Sequence, residues 1–442
     1  MRPNYRSLSV YLVGVFMGAL DTNVLAPVFP LIMRGFHIPL GWAAWTVTSY
    51  TVAYIASTVL AGAWGDRIGH KKLFVWGIVA FMLASLLAAF SPNFWVFMLA
   101  RVVQGAGAGA VYPNAQAEGI REFPAERRGT ALGMFGAVFG MASVLGPTLG
   151  GLLGQYLGWP AVFWINVPIA LVVLTMSRRV AASPVQDRPV PDWKGGASFS
   201  VLLAAALLVL MGTGYLRVVF AGVAALALLV FMARQRHASS PFLDDRPLKR
   251  GSGVSMMIGA ALIGLDMSAA VFVPTLVQRV LHFSVLASGL ALLPAAFSGA
   301  ILSGVGGVMV DRVGPRRLLV VGLVAGAIGG VLLAWPPLTF TRFIIAMLFF
   351  GLGTAFTMGA PLNRMALALY RDDQSGEALS LVAVFRGIGL AAGPVILTAA
   401  DSVRGFSGMY GAVAVASLVG VFAFLFVPDV KPVKQGQAVS ES

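Results

Sequence analysis

Long apolar runs fill the chain, cut at short intervals by charged or Pro/Gly-rich turns. Crossing the hydrocarbon of a bilayer takes about 17–25 such residues in a helix. Cutting at the charges and turns gives fourteen segments: 8–30, 41–63, 73–90, 94–117, 130–153, 161–178, 196–213, 217–233, 252–275, 285–308, 318–335, 342–363, 377–399 and 409–427. The expected fold class is therefore an all-α membrane protein, with the first segment retained as a span because no small-residue cleavage site follows it.

The pattern repeats itself at an offset of 245 residues. Asp21 maps to Asp266, His37 to His282, and Asp66-Arg67-Ile68-Gly69 to Asp311-Arg312-Val313-Gly314. Lys71-Lys72-Leu73 maps to Arg316-Arg317-Leu318, and Gly146-Pro147 to Gly393-Pro394 with a slip of two. Segments one to six thus match nine to fourteen, and the seventh and eighth have no counterpart. The expected organisation is a six-helix bundle over 1–180, linkers and an inserted two-helix hairpin over 181–250, a second six-helix bundle over 251–430, and a disordered tail over 431–442. Parallel six-helix repeats place a solute site near the midplane between them.

Composition agrees: 58% of the 442 residues are apolar and 11% charged, against about 45–50% and 25% in soluble domains. A net charge of +14 raises the question of nucleic acid, and the placement of that charge removes it. Arg34, Arg217, Arg279, Arg342 and Arg404 fall on one side, Arg101 and Arg386 inside spans, and the remainder of the 31 basic residues on the side of the termini. By the positive-inside rule both termini are cytoplasmic. The implied partners are the lipid bilayer, a small solute and protons, with no nucleic acid, and a monomer suffices. There is no cysteine and the four histidines are scattered, so no metal site is expected. No Gly-rich loop ending in Lys-Ser or Lys-Thr occurs, so ATP is not the expected energy source. An enzyme is not expected, nor a channel, since no filter loop or ring of like charges is seen.

The segment from Gly62 to Leu73, with Asp66, Arg67, Gly69, Lys71 and Lys72, resembles the signature loop of the major facilitator superfamily, and it recurs from Gly307 to Leu318 with Asp311, Arg312 and Gly314. The physical reading is a cytoplasmic latch in which each aspartate faces the positive N-terminus of a helix in the other half, near Gly376 for Asp66 and near Gly129 for Asp311. Arg101-Val-Val-Gln104-Gly105 resembles a second motif of the superfamily. Gly136, Gly140, Gly146-Pro147 and Gly150-Gly151 resemble its antiporter motif, a smooth face for close packing with a bend at Pro147. Small-residue packing alone is the plainer reading of that stripe. Leu20-Asp21-Thr22-Asn23 followed by Pro30 is similar to the first span of the drug/proton antiporters with fourteen spans, with Ala26 where an asparagine is usual and an extra Pro27. Trp45-Thr-Val-Thr-Ser-Tyr50, Phe163-Trp-Ile-Asn166-Val-Pro168, Pro241-Phe242-Leu243 and Arg386-Gly-Ile-Gly fit the same branch.

That resemblance implies a proton-coupled exporter of amphipathic or cationic compounds in the bacterial cytoplasmic membrane, driven by the proton gradient with no other cofactor. A dedicated lipid or metabolite exporter of the same fold is the alternative, and a transporter-like sensor a weaker one. Coupling needs a buried carboxylate. Asp21 leads, with Arg101 as the fixed charge that tunes it; a structural acid at a helix break and a structural ion pair are the plainer readings. Asp266 is a second titrating site, a site for a cationic compound, or a cavity-lining polar residue, with Arg386 as a candidate partner. Glu118 and Glu377, near cytoplasmic ends, are expected at the interface. The candidate cavity lining is Met17, Trp45, Tyr50, Tyr54, Phe272 and Met358, adaptable apolar surface that in a span also suits lipid or core, together with Arg386.

Overall fold

The computed structural model describes residues 5–121, 123, 128–181, 192–211, 214–237, 251–358, 360–368 and 375–428. The expected tail over 431–442, the segment Pro241-Phe242-Leu243 and most of the linkers lie outside them. In chain order the helices are α1 Tyr5–Phe36, α2 Leu40–Ile68, α3 His70–Ala89, α4 Phe94–Arg121, α5 Arg128–Leu157, α6 Ala161–Trp164, α7 Asn166–Ser177, α8 Trp193–Met211 and α9 Gly214–His237. Then follow α10 Gly251–Ser268, α11 Val273–Val280, α12 Val285–Leu290, α13 Leu293–Val313, α14 Pro315–Ala334, α15 Phe340–Thr357, α16 Ala360–Ala368 and α17 Ser375–Leu425. Eleven helical stretches among the described residues are long and apolar enough to cross a membrane, and Ala161–Ser177 is apolar but shorter.

Two of the apolar segments that are interrupted break beside a proline. Pro168 lacks an amide hydrogen and its ring crowds the carbonyl four residues back, which is that of Trp164, where α6 ends. A 3-10 turn over Ala269–Phe272 separates α10 from α11, where Pro274 occupies the first turn. The last two segments run together as α17, with a break at Arg404 and at Gly405, whose φ is 61°.

The chain divides into two compact units, residues 1–243 with 270–293 and 394–399, and residues 244–269 with 294–393 and 400–442. In the first, α1 packs along α5, α4 and α7, and α4 packs between α2 and α3. Its core holds Leu8, Tyr11, Val15, Phe74, Phe81, Val111, Phe135 and Val173. The pair α8 and α9 lies against α2 through α8 and is tied by Arg234, which donates to Asp192 at 2.7 Å. Leu226, Leu229 and Val218 of α9 are exposed, the surface expected of a helix whose solvent is lipid. Two short helices of the second repeat, α11 and α12, also belong to this unit and pack on α1 and α5. In the second unit α10 packs on α17 at glycines, with Gly264 against the Arg386 carbonyl and Gly389 against that of Ala261.

The repeat extends to backbone conformation. Gly69 and Gly314, at the same offset, take φ of 101° and 91°, and His37 and His282 take 54° and 56°. Both histidines follow a helix end that is closed by a backbone bond from the next residue, Ile38 to Met33 at 3.0 Å and Phe283 to Val277 at 3.2 Å. Left-handed backbone costs an L-residue about 1–2 kcal/mol, and glycine escapes that cost. His37→Gly and His282→Gly are therefore expected to raise stability by about 1 kcal/mol each, read as a higher melting temperature in detergent, whereas His37→Val lowers it.

Candidate functional site

Asp21 sits in α1 six residues before Pro27, and its side chain is fully buried. Two other helices bring polar groups to it through otherwise apolar surroundings, and a third braces those groups. Arg101 of α4 donates from Nη1 to Asp21 Oδ2 at 2.9 Å. Gln104, three residues on and on the same face of α4, donates from Nε2 to Asp21 Oδ1 at 2.8 Å. Asn166, the first residue of α7, donates from Nδ2 to that same oxygen at 2.8 Å. Ser85 of α3 accepts from Gln104 at 2.9 Å and from Asn166 at 3.3 Å, and itself donates to the Phe81 carbonyl at 2.8 Å.

Arg101 is only 1% exposed and is held on every side. Its Nε donates to the Thr46 carbonyl of α2 at 3.1 Å, and Nη1 also donates to Gln104 Oε1. Its guanidinium carbon stands 4.3 Å from the centroid of the Tyr50 ring and 5.9 Å from that of Phe163. The approach of α4 to α2 needs Gly105, where a Cβ would run into the Tyr50 backbone. A charge within the hydrocarbon costs at least about 2.5–3.5 kcal/mol, and a buried pair is tolerable only when its remaining hydrogen-bonding capacity is met. The amides of Gln104 and Asn166 and the Thr46 carbonyl meet it.

The repeat mate is built differently. Asp266 of α10 accepts from Ser417 of α17 at 2.9 Å, and its Oδ2 lies against Gly326 of α14. At the repeat offset, Arg101 corresponds to Ala346 and Ser85 to Gly330. Among the described residues Asp266 forms no ion pair with Arg386.

Of the latch residues, Gly69 and Gly314 make the positive-φ turns, Arg67 and Arg312 are exposed, and Lys71 donates to the Val180 carbonyl. Lys72 is exposed. Gly62 and the side chains of Asp66 and Asp311 lie outside the described residues, as do the surroundings of Gly129 and Gly376. The α5 glycine stripe divides in two. Gly146 packs on Asn23 and Gly150 on Val24 of α1, Gly151 lies against Leu286, and the Pro147 carbonyl lies against Gly289 of α12. At Gly136 and Gly140 an added Cβ would meet nothing within 4 Å.

Of the candidate cavity residues, Met17 and Tyr50 belong to the core of the first unit, with Tyr54 packed against it. Tyr54 stacks on Tyr50 with ring centroids 6.3 Å apart. Trp45 is buried, and Phe272 is buried against the Phe29 ring at 5.8 Å. Met358 and Arg386 are half-buried. Glu118, near the cytoplasmic end of α4, is 2% exposed, so its side chain faces the protein interior. The side chain of Glu377 lies outside the described residues. Sequence reasoning gave no role to Ser85 and none to Gln104 or Asn166 beyond their motifs. Their signal was polarity in apolar spans, together with the three-residue spacing from Arg101 to Gln104.

An internally repeated helical membrane fold with a hydrogen-bonded charge pair buried in one half is that of a polytopic membrane transporter. The model of the Major Facilitator Superfamily matches residues 11–232, 193–394 and 256–442, and the chain belongs to that family. Multidrug resistance protein 3 of Bacillus subtilis is 30% identical over 400 residues, covering 87% of this chain and 77% of the relative. The riboflavin transporter RibZ of Clostridioides difficile is 26% identical over 401 residues, covering 89% and 87%. The crystal structure of a D-xylose–proton symporter shares the fold with a TM-score of 0.72 at 17% identity, over 98% of this chain and 99% of that one.

Arg101→Met strands the Asp21 carboxylate without its counter-charge and is expected to destabilise the protein by about 3–5 kcal/mol. The double variant Asp21→Asn with Arg101→Met should recover most of that loss. Unfolding of the three proteins in detergent forms the double-mutant cycle that checks it.

Proposed function

We propose that this transporter is a proton-coupled antiporter that exports amphipathic or cationic small molecules by alternating access. The observation that carries the reading is the Asp21 carboxylate, buried between helices and paired with Arg101 at 2.9 Å. Arginine stays protonated, so the pair is neutral when Asp21 is ionised and carries one positive charge when Asp21 holds a proton. A cationic cargo near the pair adds the same charge. Proton and cargo therefore exclude one another, and exclusion across two alternately open faces is antiport. The likeness to multidrug resistance protein 3 supports the class of cargo.

The proposal includes fourteen crossings, with α8 and α9 as an inserted hairpin, both termini in the cytoplasm, and a monomer in a bacterial cytoplasmic membrane. It also includes the cytoplasmic latch at Asp66 and Asp311, and Asp266 as a second site for a proton or a cation. The proton gradient is the energy source, with no cofactor. One charge crossing 100 mV is worth about 2.3 kcal/mol, enough for a cargo gradient of roughly 50-fold. The likeness to the riboflavin transporter RibZ favours a second reading, a dedicated metabolite exporter of the same fold.

The test uses purified protein in vesicles with an internal pH dye, an imposed proton gradient and a panel of lipophilic cations, neutral drugs and riboflavin. Proton movement on adding the cations is expected in the native protein. Asp21→Asn should abolish it while inserting and folding normally. Uphill export retained in that variant overturns the assignment of Asp21. A response to riboflavin alone moves the reading to the metabolite exporter.

A further inference from the structure

Two amides donate to the same oxygen of Asp21, and they are not equivalent. Gln104 is fully committed. Its Oε1 accepts from Arg101, and its Nε2 donates to both Asp21 and Ser85. Turning its side-chain amide over would break all three bonds and set Nε2 against the guanidinium. Asn166 uses one end only. Its Nδ2 donates to Asp21 Oδ1 at 2.8 Å and more weakly to Ser85 at 3.3 Å. Its Oδ1 is buried with no hydrogen-bond partner among the described residues, and the residue is fully buried. A buried carbonyl oxygen left unpaired costs about 1–3 kcal/mol, so a group kept in that state calls for a reason.

An ionised carboxylate only accepts hydrogen bonds, whereas a protonated one must also donate. When Asp21 takes up a proton on Oδ1, an amide N–H aimed at that oxygen meets a hydroxyl that itself needs an acceptor. Asn166 can supply one by rotating its amide half a turn, which puts its own Oδ1 where Nδ2 stood. The rotation exchanges one unpaired end of the amide for the other and gives up only the long 3.3 Å contact with Ser85. Gln104 can stay as it is, donating to the remaining lone pair of the same oxygen.

We propose that Asn166 is a positioning residue whose amide turns over with the protonation of Asp21, donating to the carboxylate and accepting from the carboxylic acid. The inference rests on the proposed proton coupling at Asp21. The step balances simply: a proton from the aqueous side forms an O–H bond on Asp21, and no covalent bond breaks. Arg101 keeps its proton. The hydrogen bond from Asn166 to Asp21 is replaced by one from Asp21 to Asn166. The position of Asn166 follows from Pro168, which ends α6 at Trp164 and makes Asn166 the first residue of α7.

The experiment is difference infrared spectroscopy on the full-length protein in lipid between acid and alkaline media, with carbon-13 at the side-chain carbonyl of asparagine. A carboxylic-acid band absent from Asp21→Asn reports the protonation of Asp21. The expected result is that this band rises together with a label-sensitive shift of an asparagine side-chain band, and that Asn166→Leu loses the shift. If the Asp21 band rises with no label-sensitive change in the native protein, the amide proposal is overturned and the coupling reading stands. That comparison needs no variant at Asn166 and so holds even if Asn166→Leu does not fold. If no Asp21 band appears at any pH while the vesicles still export cargo, the coupling reading falls and takes this inference with it. In that case proton-driven export in Asp21→Asn should survive as well.

Discussion

Burying a carboxylate and a guanidinium together between apolar helices sets the terms for the rest of the first unit. Each charge taken out of water loses several kcal/mol of solvation, and the attraction between them returns it only if the geometry is tight and the spare donors and acceptors are filled. That requirement accounts for polar residues that would otherwise be out of place in hydrophobic helices. Gln104 serves both partners of the pair, Ser85 collects the amide hydrogens that do not reach Asp21, and Thr46 lends Arg101 its backbone carbonyl. It also accounts for packing. The α4 helix must come close to α2 for Arg101 to reach Thr46, and Gly105 makes room for the Tyr50 backbone. The break at Trp164 carries a cost in helix hydrogen bonding, and it starts α7 with the residue that completes the cage around Asp21.

Duplication copied the frame more faithfully than the site. Gly69 and Gly314 share a positive φ, as do His37 and His282, so turns that depend on local backbone chemistry survive in both halves. Asp21 and Asp266 share a position in the repeat but not a chemistry. One has an arginine and two amides, while the other has a serine hydroxyl and the bare face of Gly326. With Ala346 and Gly330 where the first half has Arg101 and Ser85, the second half lacks those partners for an ion pair.

What could be read in advance depended on whether the signal was carried by one residue or by two helices at once. Apolar runs are long enough to identify helix after helix. Charge inside a run is so costly that Asp21 and Arg101 stood out and called for each other. The partners on Oδ1 were harder, because a glutamine or asparagine in a motif shows its chemistry but not which way its helix is rotated. Ser85 gave no warning, since serine is common in membrane helices and often satisfies itself on its own backbone. Glu118 shows the same limit: distance along the chain from a helix end does not tell which face a side chain occupies. The α5 glycines show the limit from the other side. Gly136 and Gly140 are spaced like Gly146 and Gly150, yet of the stripe only Gly146, Gly150 and Gly151 are in close contact, because a stripe of small residues permits packing without requiring it.

On the proposed coupling, the cage around Asp21 also bears on why a carrier would keep an arginine beside its exchanging acid. A lone buried acid has a single favoured state, the neutral one, and releasing its proton means creating an unpaired charge in low dielectric. With Arg101 alongside, the ionised form is the paired one, and the added proton or an added cation is what leaves a net charge. The two states differ by one charge, so the surroundings of the pair decide which is favoured. The hydrogen bonds must follow the charge if the two states are to stay close in energy. Arginine cannot adjust, since every polar atom on it is a donor, and Gln104 is held by it. The capacity to adjust falls to the one amide in the cage that keeps an end free.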